Sequence, residues 1–176
     1  MTDEENAPLG FAVIFERAEV GWLDFKTHLG THTFDIHATD LKDPFPDMIA
    51  WLEAIMSGAP VSLWTVDEET AGTQFVFIAA DYLVIGSLGA SLTVLQQDSV
   101  SEPISAASMR LDSRRLVGTF YAAFRDFVTG DAYDPNEWEA SPEDDGRDGK
   151  ALRNLRSALV EDWLSENAPD RAHNAP

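Results

Sequence analysis

The order of strands and helices in this chain follows from residues 22–58, which have the sequence WLDFKTHLGTHTFDIHATDLKDPFPDMIAWLEAIMSG. Apolar and polar side chains alternate over residues 23–29 and again over residues 34–38, which is the period of a β-strand. Between the two runs, Gly30 and Thr31 suit a two-residue type II′ turn. This stretch therefore predicts a β-hairpin.

A two-residue turn also sets which residues of the two strands face each other. On the apolar face the predicted pairs are Leu29–His32, Thr27–Phe34, Phe25–Ile36 and Leu23–Ala38. On the opposite face they are Lys26–Asp35, Asp24–His37 and His28–Thr33. Two of these pairs, Lys26–Asp35 and Asp24–His37, join opposite charges, although the charges were not used to derive the register. Each such pair contributes roughly 0.2–1 kcal/mol. The register predicts that the apolar face is buried and that the charged face meets solvent.

The hairpin also holds three of the chain's four histidines, which suggests a metal site. The register places His32 on the face opposite to His28 and His37. The last two share a face but lie on the order of 13 Å apart along the ladder, whereas zinc–nitrogen bonds are about 2 Å long. We therefore predict surface histidines, with no metal and no cofactor.

An amphipathic helix is predicted directly after the hairpin. Asp43 can cap its first turn, and Pro44 and Pro46 are tolerated there. Gly58 is suited to the position after the last turn, and Pro60 prevents continuation. The apolar stripe consists of Phe45, Met48, Ile49, Leu52, Ile55 and Met56.

The remaining elements follow from the same signals. Strands are predicted over residues 10–18, 61–66, 74–80, 82–85, 91–96 and 105–111, with turns at Asp81 and residues 86–89. A strong helix is predicted from a cap at Asp112 or Ser113 to Gly130. Its apolar face comprises Leu116, Val117, Phe120, Tyr121, Phe124, Phe127 and Val128. Gly118 inside it costs up to about 1 kcal/mol relative to alanine, which indicates a close packing contact.

Composition then changes. Residues 131–148 hold two prolines and eight acids, with Tyr133 and Trp138 as the main apolar side chains, and predict an acidic linker. A short helix with a stripe of Leu152, Leu155, Leu159 and Trp163, flanked by Val160 and Leu164, is expected to dock on the domain. The expected organisation is a domain over residues 1–130, a linker over 131–148, the helix over 149–166 and a frayed tail over 167–176.

This element order predicts an α+β fold. Successive strands joined by tight turns favour a mostly antiparallel β-sheet with a central helix, a helix after the last strand and a C-terminal amphipathic helix. At 176 residues and 44% hydrophobic content, the chain can bury a real core.

The formal net charge is −19. It divides into −12 over residues 1–130 (7 bases, 19 acids), −7 over residues 131–148 (1 base, 8 acids) and zero over residues 149–176 (4 of each). Acidity in the folded part disfavours binding of nucleic acids and of anionic membranes. It favours either a basic protein partner or simple solubility.

Location is indicated by what the sequence lacks. It has no cysteine, no basic and apolar leader, and no apolar run long enough to span a bilayer. These features predict a cytoplasmic protein, and nine arginines against three lysines hint at a GC-rich bacterial genome.

No phosphate-binding loop or nucleophile elbow occurs in the sequence. Asp24 with His37 is the one histidine–carboxylate pair that can be placed, on a face where a base gains little from desolvation. An exposed tryptophan beside acids is instead suited to anchoring a protein partner, and the two candidates are Trp22, on the polar hairpin face, and Trp51, next to the apolar stripe of the helix. The candidate partner-binding residues are Trp22, Asp24, His37, Asp67, Glu68 and Glu69.

One family resemblance supports a binding role. Gly21, Trp22 and Leu23 open a strand, Phe34 follows, and Asp40 and Leu41 precede a helix rich in leucine and isoleucine. Over about residues 10–130 this pattern resembles the small bacterial immunity proteins of the WapI-like type. The resemblance implies a β-sheet with a central and a C-terminal helix, no catalytic residues, and a stoichiometric inhibitor that binds a toxin domain. The acidic linker and the last helix depart from the family pattern.

Two functions of different classes remain open. The first is a non-enzymatic protein that binds a basic partner, such as a nuclease toxin. The second is an enzyme or a small-ligand-binding domain with a pocket between sheet and helices. The sequence leaves the partner's identity and the oligomeric state undetermined.

Overall fold

A computed structural model describes residues 10–69, 71–89, 103–138 and 151–166. Its strands are β1 (Phe11–Glu19), β2 (Trp22–Leu29), β3 (His32–Thr39), β4 (Val61–Asp67), β5 (Ala71–Ile78), β6 (Tyr82–Gly89) and β7 (Pro103–Arg110). Its α-helices are α1 (Phe45–Met56), α2 (Ser113–Thr129), α3 (Pro135–Trp138), α4 (Ala151–Asn154) and α5 (Ala158–Glu166), and a short 3₁₀ helix covers Asp40–Lys42. None of these described helices is long and apolar enough to cross a membrane.

The strands form two antiparallel sheets, one in the order β1-β2-β3 and the other in the order β4-β5-β6-β7. The predicted α+β class is therefore confirmed, with a helix directly after the last strand. The mostly antiparallel pairing is also confirmed, and it is divided between two sheets because α1 separates β3 from β4.

The predicted hairpin register is confirmed at every pair, from Leu29 opposite His32 to Leu23 opposite Ala38. Gly30 has a φ angle of +64°, as the first central position of a type II′ turn requires. Phe25, Phe34 and Ile36 are 1%, 5% and 0% exposed. On the opposite face Asp35 and His37 are exposed and Lys26 is half-buried.

Helix α1 has the predicted boundaries. The backbone N–H of Phe45 donates to Oδ1 of Asp43 over 2.9 Å, and Gly58 has a φ angle of +75°. The expectation that Trp51 is an exposed anchor is wrong, because this side chain is 2% exposed. Its ring centroid lies 5.4 Å from that of Phe120 and 5.7 Å from that of Trp64, so it belongs to the core.

The core is shared by both sheets and by the two long helices. Trp64 of β4 stacks on Phe25 of β2 at 6.1 Å and on Phe75 of β5 at 4.7 Å between ring centroids. Phe120 of α2 meets Phe75 edge-on at 5.5 Å. Helix α2 begins after Asp112, whose side chain accepts a hydrogen bond from the N–H of Arg115, and it ends before Gly130 as predicted.

Two local expectations are corrected by the fold. Residues 86–89, predicted as a turn, continue β6 to Gly89. The predicted strand over residues 105–111 is confirmed as β7, whereas the strand expected over residues 91–96 lies outside the described residues. In the segment expected to be a linker, Tyr133 and Trp138 are each 2% exposed, so residues 131–138 pack on the domain.

The C-terminal segment forms two short helices where a single one was predicted. Ser157 interrupts the helix because its hydroxyl accepts from the N–H of Val160 over 3.1 Å, which caps a new start. The new helix start changes which side chains of this segment face the core. Val160 is 0% exposed, whereas Leu159, predicted in the stripe, is 51% exposed.

Candidate functional site

An open groove with a volume of about 710 Å³ lies on the solvent-facing side of the first sheet. It is found where the outer strand of that sheet, β3, approaches the turn between β4 and β5. Its lining side chains are Arg17, Glu19, Val20, Trp22, Asp24, His37, Glu68 and Ala71. The fold thus brings together four of the six sequence-predicted site residues, which are Trp22, Asp24, His37 and Glu68.

The floor of the groove is a cross-strand row of charged groups. Arg17, Asp24 and His37 lie side by side on β1, β2 and β3. Oδ1 of Asp24 is 2.8 Å from Nδ1 of His37, and its Oδ2 is 3.5 Å from Nε of Arg17. Arg17 also pairs with Glu19 at 2.5 Å. Asp24 is therefore engaged on both sides by its neighbours in the sheet.

The Asp24–His37 pair has the geometry of an oriented base. If the ring nitrogen facing Asp24 carries the proton, the other nitrogen is left as an acceptor towards solvent. The described lining holds no hydroxyl or thiol that such a base could activate. Among the described residues, no three or more His, Cys, Asp or Glu side chains lie together as a metal ion would need.

The acidic turn between β4 and β5 is fastened to β3 and to the residues after it. Glu68 accepts from the backbone N–H of His37 at 3.4 Å, and Glu69 accepts from the hydroxyl of Thr39 at 3.3 Å. Asp67 pairs with Lys42. Glu68 accepts a further hydrogen bond from the hydroxyl of Thr73 at 2.8 Å. The carboxylates of Glu68 and Glu69 are therefore held close to the edge of β3.

The carboxylate of Asp67 interacts with neighbouring groups of the same chain, Lys42 and the N–H of Glu69. The hydrogen bond from Lys42 holds the pKa of Asp67 below its ordinary value, while partial burial acts in the opposite direction and the N–H of Glu69 lowers the pKa further. Asp67 does not line the groove. Of the predicted acidic triplet, Glu68 is the residue that contributes to the groove wall.

An apolar rim borders these charges. Trp22 is 36% exposed and Val20 is 66% exposed. The turn between β1 and β2 has positive φ angles at Val20 (50°) and Gly21 (79°), and a β-branched residue is rarely found there. Glu137 holds this turn: its Oε2 accepts from the N–H of Val20 at 3.1 Å and its backbone oxygen accepts from Gly21 at 2.7 Å.

Sequence reasoning missed the contribution of β1 and of α3. Arg17 lies in the strand predicted over residues 10–18, and Glu19 directly follows that strand, two positions further on, which was a signal that they share a face. Their alignment with β2 could not be derived, because the register shifts between Phe15 and Arg17. No local pattern indicates that Glu137, about 117 residues away in sequence, clamps the rim.

Comparison with known proteins identifies no family. No protein-family model matches the chain, and no curated protein does. Among solved structures, one chain of the "CdiA-CT/CdiI toxin and immunity complex from Enterobacter cloacae" is 12% identical, with a TM-score of 0.40. That alignment covers 64% of this chain and 97% of the other. A likeness at this level carries no argument about function.

Proposed function

We propose that this chain is a non-enzymatic protein-binding protein whose groove receives a basic surface of its partner. The observation that carries the proposal is the composition of the groove. Three carboxylates, Glu19, Asp24 and Glu68, and one guanidinium, Arg17, surround an apolar rim that includes the half-exposed Trp22. Protein interfaces are centred on anchors of this kind, and tryptophan is enriched among the residues that dominate binding energy.

Electrostatics favours a cationic partner. The lining is net negative when His37 is neutral, and the whole chain carries a formal charge of −19. Such a charge attracts basic proteins at long range and accelerates their association. The carboxylates of Asp24 and Glu68 are already oriented by hydrogen bonds within the chain, which reduces the ordering cost that binding would add.

The finer proposal is that the partner is a toxin domain and that this chain is its immunity protein. Its support is the sequence resemblance to WapI-like immunity proteins, which act by stoichiometric binding. In that role the groove and the acidic turn would cover a basic surface of the toxin, and no turnover would occur.

The alternative of a ligand pocket between sheet and helices is less favoured by the geometry. The groove described here is on the outer face of the first sheet and is wide open, whereas small-molecule sites usually enclose most of their ligand. Aromatic side chains of both sheets and of α1 and α2 pack at 4.7–6.1 Å in the space that such a pocket would need.

The test begins with capture of partners from the source cell on the immobilised chain, followed by association kinetics at low and high salt. We expect a basic partner whose association rate falls steeply as ionic strength rises, while dissociation changes less. Glu68→Lys should slow association and Trp22→Ala should speed dissociation. Asp162→Lys, a charge reversal at an exposed position of α5, is the matched control and should have little effect.

Two results would refute the proposal. One is a partner that is acidic or whose association rate does not depend on salt. The other is measured turnover of a small substrate that is lost in His37→Ala. If a partner binds as expected but its own activity is not inhibited, the proposed binding function is supported and the proposed immunity function is refuted.

A further inference from the structure

The outward face of the second sheet is a separate apolar surface that the proposed binding role does not use. Two cross-strand rows run over β4, β5 and β6: Val61, Ile78 and Tyr82 in one, and Leu63, Val76 and Val84 in the other. Four of these six side chains are well exposed, at 58% for Val61, 56% for Leu63, 38% for Ile78 and 44% for Tyr82. Contiguous apolar patches of this kind on a soluble domain mark interaction sites.

The charge on this face is unlike that of the rest of the chain. Together with the row that contains Thr65 and Gln74, these rows have twelve positions over β4–β7, and none of the twelve holds a carboxylate. The next row begins with Asp67, whose carboxylate already pairs with Lys42. The whole chain, by contrast, has 31 acidic residues against 12 basic ones. The one charged residue in these rows is Arg110, opposite Tyr82.

We propose that this face, termed here the β4–β7 face, binds a second copy of the chain. A basic partner of the kind proposed for the groove finds no carboxylate in these three rows. A second copy carries a formal net charge of −19. The acidic surfaces elsewhere on the first copy repel it, whereas this face does not, and Arg110 on this face attracts it. An open, flat sheet is also self-complementary about a two-fold axis, since two such faces stack about 10 Å apart with their strands roughly aligned.

The area of the β4–β7 face determines how strongly we expect the two copies to bind each other. Four strands about 4.8 Å apart and three rows about 6.8 Å apart cover on the order of 400 Å². A standard stable interface buries about 800 Å² on each partner. The dimer is therefore weak, and it forms at high micromolar concentration rather than at nanomolar concentration. The face shares no residue with the groove, so each copy in the dimer keeps its groove free.

The test is sedimentation of the whole chain over a series of concentrations, at low and at high salt. We expect monomer at low micromolar concentration and a growing dimer fraction towards millimolar concentration. High salt should increase the dimer fraction because it screens the repulsion between the two acidic copies. This is opposite to the salt effect expected for a basic partner at the groove, so the two proposals succeed or fail separately.

Variants locate the contact. Leu63→Lys should raise the dimer dissociation constant at least about tenfold, since each dimer loses two buried leucines. Leu159→Lys is the matched control, because Leu159 is a leucine of similar exposure (51%) on α5 and should leave the dimer intact. Circular dichroism confirms that each variant is folded. If Leu63→Lys fails to fold, Leu63→Thr, an uncharged residue that favours strands, replaces it.

Three outcomes would overturn the proposal. The chain could stay monomeric at every concentration and salt level. The folded Leu63 variant could dimerise as the natural chain does. The chain could be monomeric while Leu63→Lys sharply lowers its stability, which would mean that another segment of the same chain covers the face.

Discussion

The hydroxyl group of Tyr121 in α2 accepts a hydrogen bond of 3.1 Å from the backbone N–H of Ser157, the residue before α5. The same hydroxyl donates to Oε1 of Glu161 at 2.8 Å. Tyr121 is 4% exposed, so the side chain is shielded from water. One side chain of α2 therefore holds both the start and the first turn of the last helix.

Replacement of Tyr121 by phenylalanine should destabilise this attachment. The variant leaves the N–H of Ser157 without its acceptor, and an unmade bond of a buried group costs about 1–3 kcal/mol. We expect a loss of that size in the free energy of unfolding by urea, with faster amide exchange in α5. Tyr82→Phe is the control, because Tyr82 is 44% exposed. Equal effects from both variants would mean that the two hydrogen bonds contribute nothing.

The same tyrosine predicts a pH dependence. Burial raises the pKa of Tyr121; the bond from Ser157 opposes this, and Glu161 adds to it. A folded pKa above the unfolded value of about 10 gives a stabilisation that is complete below that pH and is lost as pH rises through the higher folded pKa. The stability difference between the natural chain and Tyr121→Phe should therefore narrow above about pH 10. Urea unfolding at several alkaline pH values measures it, and a gap that widens would contradict the assignment.

The two faces of the β2–β3 hairpin should respond very differently to truncation. Phe34→Ala removes a side chain that is 5% exposed and should cost roughly 3–5 kcal/mol. Lys26 donates to Glu16 at 2.6 Å on the solvent side, and Lys26→Ala should cost no more than about 1 kcal/mol. Thermal or urea unfolding of both variants is the measurement. Small and similar losses would show that the buried face contributes little.

Gly118 should be replaceable by alanine. A Cβ atom there would lie 3.6 Å from Cδ2 of Leu164, an ordinary packing distance, so the expected tight contact is not present. Gly118→Ala should stabilise the chain by about 0.5–1 kcal/mol, because glycine inside a helix is unfavourable. Gly130→Ala is the contrasting variant: its Cβ would meet the backbone oxygen of Asp126 at 2.9 Å, and it should destabilise. A loss of stability in Gly118→Ala would refute the packing argument.

Local patterns were sufficient for much of the fold. The register of β2 and β3 follows from alternation and a two-residue turn, because both are properties of adjacent residues. The boundaries of α1 and α2 follow from capping carboxylates and terminal glycines in the same way. Patterns failed where a distant contact decides: Trp51 was expected at the surface, but it is buried by aromatic side chains of β4 and α2.

The candidate site was only partly accessible for the same reason. Asp24 and His37 could be paired in advance because they lie on one hairpin. Their meeting with Glu68 could not, because it depends on how β3 lies against the turn of the second sheet. Position along the chain carries no information on that approach, whereas burial of the shared core imposes it.

By itself, the sequence determined the antiparallel pairing, the two long helices, the acidic charge and the polar face that holds Trp22. These depend on short-range sterics, on periodicity and on composition. Only the tertiary structure decided that the strands divide into two sheets, that Tyr133 and Trp138 are buried, and that Arg17 and Glu68 border one groove. The physical reason is that each of these depends on apolar surfaces far apart in the chain being buried together, and many local patterns are compatible with several such arrangements.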